Sequence, residues 1–300
     1  MPGSRGEVFG HLVVYRPGAL SMEEADYLEG LALQSALALG NAQHHERMIE
    51  WERVKLDLDA ARNIQRSLLP QTAPRIEGYS IGVRSTTCYE VGGDYLDVIP
   101  VADNRWMMVV ADVAGKGLAS ALMSATFRST FRAMAGTELG LEEIATRMNT
   151  LHWQEGLEAR RRYVTAILLC LDPTNHSVEF VNAGHNPAFL LDEGGDAVCI
   201  GASGPPLGML PGMTYQKETH LLAENSQLLL YTDGLTEVFS ATDEDVEFGE
   251  EGLLALLKGP RRGDFLDHAW KTLARFSGGK RQTDDMTALY LLRVKDGATE

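Results

Sequence analysis

Between Tyr79 and Val294 the chain repeatedly turns apolar for about the length of a strand and then stops at Gly, Asp or Asn. The runs are YSIGVRST, RWMMVVADV, YVTAILLCLD, HSVEFVNAG, SQLLLYTDG and MTALYLLRV. Val, Ile, Leu, Tyr and Phe bounded by turn formers read as β-strands. Helical stretches at about 117–135 and 139–156 lie between the second and third run, and others at about 249–258 and 264–277 precede the last. Strands cluster instead of alternating strictly with helices. That pattern argues against a doubly wound parallel sheet and predicts an α+β fold, with sheets flanked by helices.

The front of the chain differs. GHLVVYRPG predicts a short strand closed by the turn pair Pro17-Gly18. Ser21 and Glu24 then have the spacing of a capping box, and no further proline appears until Pro70. The spacing predicts one long helix between them. From Leu28 to Leu39 it is apolar on several sides, and from about Asn41 it is highly charged. There Trp51, Val54, Leu58, Ala61, Gln65 and Leu68 follow alternating steps of three and four, an a/d seam of little more than two heptads. Such a seam fits an amphipathic helix lying on its own domain. It equally fits a parallel coiled coil pairing two protomers.

Charge narrows the partners. Acidic residues number 42 against 27 basic ones, a formal net charge of −15 in 300 residues. A surface this acidic repels nucleic-acid phosphates and anionic lipids, so neither is expected as a partner, whereas divalent cations are. There is no apolar run long enough to span a membrane and no signal-peptide core, so no membrane insertion is expected and a cytoplasmic location is. Cys88, Cys170 and Cys199 lack CxxC spacing. This argues against zinc ribbons and disulfides and fits a reducing compartment.

Four acidic motifs sit at strand ends: VGGDYLD with Asp94 and Asp97, ADVAGKG with Asp112, YTDG with Asp233, and TDDMT with Asp284 and Asp285. A single Asp in a Gly-containing turn is ordinary turn chemistry. Several carboxylates beside buried strands are different, because unpaired they are costly and converging they repel. Cations between them relieve both costs, and hard oxygen donors without His or Cys suit Mg²⁺ or Mn²⁺. Other chemistries fail on the residues. No Cys is followed by Arg six positions later, GKG at 115–117 lacks the rest of a P-loop, and GxSxG and HExxH are missing. His185, in NAGHNP, reads first as a hydrogen-bonding turn residue and only second as a catalytic one.

ARNIQRSLLP, VGGDYLD, DVAGKGLASALM, FVNAGHNP, LLLYTDGLTEV and TDDMTALYLLRV occur in this order over residues 61–294. Together they resemble the SpoIIE-type branch of the PPM family, the metal-dependent serine/threonine phosphatases. The resemblance implies an αββα sandwich of two face-to-face sheets with helices outside. It implies two Mn²⁺ or Mg²⁺ ions, with Asp112 bridging, the carbonyl of Val113 beside it, Asp94 at the edge, and Asp233 and Asp284 on the second metal. Asp285 ranks next, one residue along. It further implies hydrolysis of phosphoserine or phosphothreonine by a metal-activated water. The family's usual substrate is an anti-sigma-factor antagonist in bacterial signalling. The phosphate-gripping arginine of some relatives has no clear counterpart, with Arg84 the nearest candidate. The alternative is a non-catalytic dimeric regulatory module whose metal centre is structural. GHLVVYRPG and the apolar helix after it look like the tail of a GAF sensor domain. The expected layout is therefore a GAF-like tail at 1–40, a helical coiled-coil linker at 41–70 that makes a homodimer, and the phosphatase domain at 71–300.

Overall fold

The computed structural model describes residues 8–15, 17–259 and 264–295. The chain divides into two compact units, Met1–Ala60 and Ala61–Glu300.

In the first unit, Gly10–Tyr15 forms no strand, contrary to the sequence pattern; Val8 alone makes a bridge, and Arg16 lies outside the described residues. An apolar run becomes a strand only where a neighbour takes its backbone hydrogen bonds in a regular ladder, so composition alone does not decide it. Helix α1 (Met22–Leu68) starts where the capping box places it. The Ser21 N–H donates to Glu24 Oε2 at 2.8 Å and the Glu24 N–H to Ser21 Oγ at 3.3 Å. It stops before Pro70, which cannot donate the next helical bond. Trp51, Val54 and Leu56 are exposed along it.

The second unit carries ten strands and five further α-helices among the described residues. In chain order they are β1 (Tyr79–Thr86), β2 (Tyr95–Pro100), β3 (Trp106–Val113), α2 (Leu118–Ala135), α3 (Leu141–Gln154), α4 (Leu157–Arg160), β4 (Val164–Asp172), β5 (Ser177–Ala183), β6 (Ala188–Leu191), β7 (Ala197–Ile200), β8 (Glu218–Leu221), β9 (Gln227–Tyr231), α5 (Gly249–Lys258), α6 (Phe265–Phe276) and β10 (Met286–Arg293). The strands form two five-stranded sheets, ordered β1-β10-β9-β6-β7 and β2-β3-β4-β5-β8, with antiparallel neighbours throughout.

Period-two alternation explains the sandwich. On β4, Ile167, Leu169 and Leu171 face inward with Leu228, Leu230, Leu289 and Leu291 of the other sheet. Ala166, Leu168 and Cys170 point outward, into a second core with Phe127 and Phe131 of α2 and Ile144 and Met148 of α3. On the other sheet, Leu229, Ala288 and Tyr290 turn outward to Leu253 and Leu257 of α5 and Leu266 and Leu273 of α6. A strand covered on both faces needs apolar residues at every position, which is why β4 and β10 read as continuous runs. This is the αββα arrangement expected from the resemblance.

Candidate metal centre

The acidic motifs converge because β2, β3, β9 and β10 begin or end on the same edge of the sandwich. Asp112 lies on β3, one residue before its end, and Asp94 immediately precedes β2. Asp233 opens a single 3₁₀ turn after β9, and Asp284 and Asp285 immediately precede β10. At Gly93 an added Cβ would lie 2.9 Å from the Val113 carbonyl oxygen and 3.2 Å from Asp112 Oδ1. A side chain at this position would crowd both oxygens. Gly234 is more constrained still: a Cβ there would collide with the Asp285 carbonyl, so the turn after β9 presses directly on the start of β10.

The electrostatics report the convergence. Burial, then repulsion from Asp233, Asp284 and Asp285, pushes Asp112 up to about 7. Burial raises Asp94 well above the carboxylate range, with Asp112 and Asp285 adding to the shift. Asp233 is raised by burial and then by Asp284, and Asp285 mainly by burial. Carboxylates that discourage one another's ionisation form a site for cations. Among the described residues no three acidic or His/Cys side chains stand as a preformed metal cage. The donor chemistry nevertheless fits hard divalent ions: carboxylate oxygens and one backbone carbonyl, without soft ligands.

Supporting contacts fix each member. Thr232 Oγ1 donates to Asp94 Oδ2 at 2.8 Å and accepts the Thr287 N–H at 3.0 Å, tying the carboxylate to the β9–β10 pair. Asp285 accepts the Cys88 N–H at 2.7 Å and the Gly93 N–H at 2.8 Å, so it holds the VGG loop. Lys116 Nζ lies 2.7 Å from Asp284 Oδ2 and donates to the Thr283 carbonyl at 2.9 Å.

Some sequence candidates go elsewhere. Asp97 is fully buried on the helix-facing side of β2 and takes two bonds from Arg132 of α2, at 2.6 and 2.9 Å. It locks a strand to a helix outside the cluster. Arg84 pairs with Asp267 at 2.7 Å and lies over Trp270, so it is not directed at the carboxylates. Gln65, assigned to the helical seam, instead exchanges two hydrogen bonds with Gly92, at 2.7 and 3.1 Å. Sequence reasoning missed this contact, as it missed the roles of Thr232 and Lys116. Thr232 was readable only as the residue before Asp233. His185 is buried and its ring Nδ1 shares a 2.8 Å bond with Thr165 Oγ1, while its backbone N–H donates to Asn182 Oδ1. Burial lowers it to about 4, which favours the neutral imidazole.

Comparison with known proteins gives the family and the fold. The family model for stage II sporulation protein E (SpoIIE) matches residues 102–294. The phosphoserine phosphatase RsbP of Bacillus subtilis is 30% identical over 188 residues, which cover 61% of this chain and 46% of that protein. Protein IcfG of Synechocystis is 25% identical over 266 residues, 80% of this chain and 42% of that protein. The chain thus spans less than half the length of either relative. Among solved structures, the SiaA-PP2C domain of Pseudomonas aeruginosa superposes with a TM-score of 0.68 at 23% identity, covering 82% of this chain and 99% of that one. The phosphatase domain and regulatory fragment of SpoIIE from Bacillus subtilis gives 0.61 at 18% identity, over 74% of this chain and 64% of that one. These two likenesses concern the fold.

Proposed function

The chain belongs to the SpoIIE family of PPM-type phosphatases, and from that premise we propose that it hydrolyses phosphoserine and phosphothreonine on a protein substrate in bacterial signalling. The observation that carries the reading is the meeting of Asp94, Asp112, Asp233, Asp284 and Asp285, from four separate segments, with raised carboxyl pKa values in four of them. Asp112, the Val113 carbonyl, Asp94, Asp233 and Asp284 would hold two Mn²⁺ or Mg²⁺ ions, with Asp285 beside them. Such ions, when bound, supply Lewis acidity and a nucleophile from water at neutral pH.

The rest is done by the chain. Thr232 holds Asp94 in place, and Asp285 holds the VGG loop, where a side chain in place of Gly93 would crowd the donors. Lys116 places a positive charge beside Asp284, where an incoming phosphoryl group needs one. No protein nucleophile is required. The Cys88 thiol is pushed up by burial and by Asp285 and Asp284, which disfavours the thiolate.

The substrate is a phosphorylated anti-sigma-factor antagonist. Residues 1–40 are a GAF-like tail, and the helix at 41–70 pairs two protomers through Trp51, Val54 and Leu58. The deciding experiment incubates the protein with phosphorylated candidate antagonists, with and without Mn²⁺, and follows phosphate release. p-Nitrophenyl phosphate serves as a generic ester. Metal-dependent release is expected. Absence of turnover on every ester at saturating Mn²⁺ would leave only the non-catalytic regulatory module.

A further inference from the structure

Beside the carboxylate cluster, on the far side of the strap 279–283, lies a cavity of about 470 Å³. Its walls are apolar: Phe239 from the loop after β9, Trp270 and Leu273 from α6, and Met286 from β10. The walls are braced. Trp270 Nε1 donates to Thr86 Oγ1 at 3.2 Å, and Lys280 ties the strap to Glu244 Oε1 at 3.0 Å and to the Ser240 carbonyl at 3.3 Å. A cavity of this size is within the range of ligand sites and exceeds what one buried water needs.

Two lining residues belong to the candidate centre as well. Gly234 follows Asp233, and Thr283 precedes Asp284. One extended residue spans roughly 3.3 Å. A peptide lying along the strap with its phosphoseryl group over the carboxylates therefore brings a neighbouring side chain to the cavity mouth. Arg281 adds a positive charge to the cavity lining, whereas Lys116 pairs with Asp284 and Lys280 with Glu244. The apolar walls then take a side chain of the phosphorylated segment seated over the carboxylates.

We infer that this cavity is a specificity pocket for a large apolar side chain within three residues of the substrate's phosphoserine. The inference rests on the phosphatase reading above. The test uses phosphoserine peptides in which a single Leu is scanned through the three positions on either side of the phosphoserine, against an all-Ala background. Burying a leucine on binding predicts one position with kcat/KM raised about tenfold or more, carried by KM. Ala274→Trp fills the cavity from α6 and abolishes that preference, while p-nitrophenyl phosphate turnover stays at the wild-type level. Phe239→Ala, which opens a wall instead of filling the space, weakens the preference in the same direction and covers the case of a poorly folded Trp variant. A flat Leu scan, with p-nitrophenyl phosphate still hydrolysed, overturns the pocket and leaves the phosphatase reading standing. A preference that survives Ala274→Trp at full strength overturns it too, as does an equal loss on peptide and generic ester. Absence of turnover on every ester overturns the phosphatase reading, and the pocket with it.

Discussion

Asp112→Asn removes activity and yet stabilises the metal-free protein above neutral pH. Burial and the charges of Asp233, Asp284 and Asp285 raise Asp112 from 3.8 to about 7. A carboxyl whose pKa is higher in the folded than in the unfolded chain holds its proton more tightly when folded. Its stabilising contribution is complete below about pH 4 and is lost as the pH rises through about 7. A shift of about three units corresponds to roughly 4 kcal/mol. That figure is a ceiling, because neighbouring carboxylates share the repulsion and titrate together. Asn keeps the volume and loses the charge, so a gain of about 1–2 kcal/mol is expected at pH 8. For a unit of this size that is roughly 2–8 °C in Tm. At pH 5 the gain shrinks, because the wild-type carboxyl is already protonated. Circular dichroism melts in EDTA at both pH values read the effect, and melts with Mn²⁺ reverse it, since ligand binding stabilises the wild type and not the variant. A variant that melts at or below wild type at pH 8 in EDTA refutes the charge argument. Near wild-type turnover at saturating Mn²⁺ would refute the placement of Asp112 in the centre.

EDTA should abolish turnover and added Mn²⁺ or Mg²⁺ restore it, whereas Cys88→Ala should retain activity; loss in that variant with unchanged metal content would count against a water nucleophile. Arg132→Ala leaves the fully buried Asp97 carboxylate with the Tyr95 O–H and the Val98 N–H as donors, and losing its bonds to the half-exposed guanidinium costs about 1.5–3 kcal/mol. Urea unfolding measures it, and a change under about 0.5 kcal/mol would mean that Asp97 finds another partner. Leu58→Glu should convert a dimer to a monomer, because the substituted charges would face each other across the seam; light scattering decides, and a wild type already monomeric at tens of micromolar sinks the coiled coil.

Local signals were legible in the sequence because their causes are local. The Ser21–Glu24 cap and Pro70 bound α1 within a residue or two, and both ends depend on neighbours three or four positions away. β4 and β10 were legible because burial on both faces demands unbroken apolar runs. The short strands β6, β7 and β8 carry too few residues to show a period, and their existence depends on pairing with strands already in place. Gly10–Tyr15 shows the converse: strand-like composition there forms no strand. Within VGGDYLD, Asp94 and Asp97 are chemically alike and three residues apart. Tertiary packing separates them. Arg132, 35 residues along the chain, claims Asp97, while Thr232, 138 residues away, holds Asp94 in the cluster. Gln65 fits a helical seam by spacing, but Gly92 takes its side chain. Arg84 and Lys116 are both cations in the sequence, and only Lys116 reaches the carboxylates. Periodicity and capping follow from short-range sterics and hydrogen bonding along the chain. Which charge meets which is settled by long-range partners, and those exist only once the two sheets have stacked.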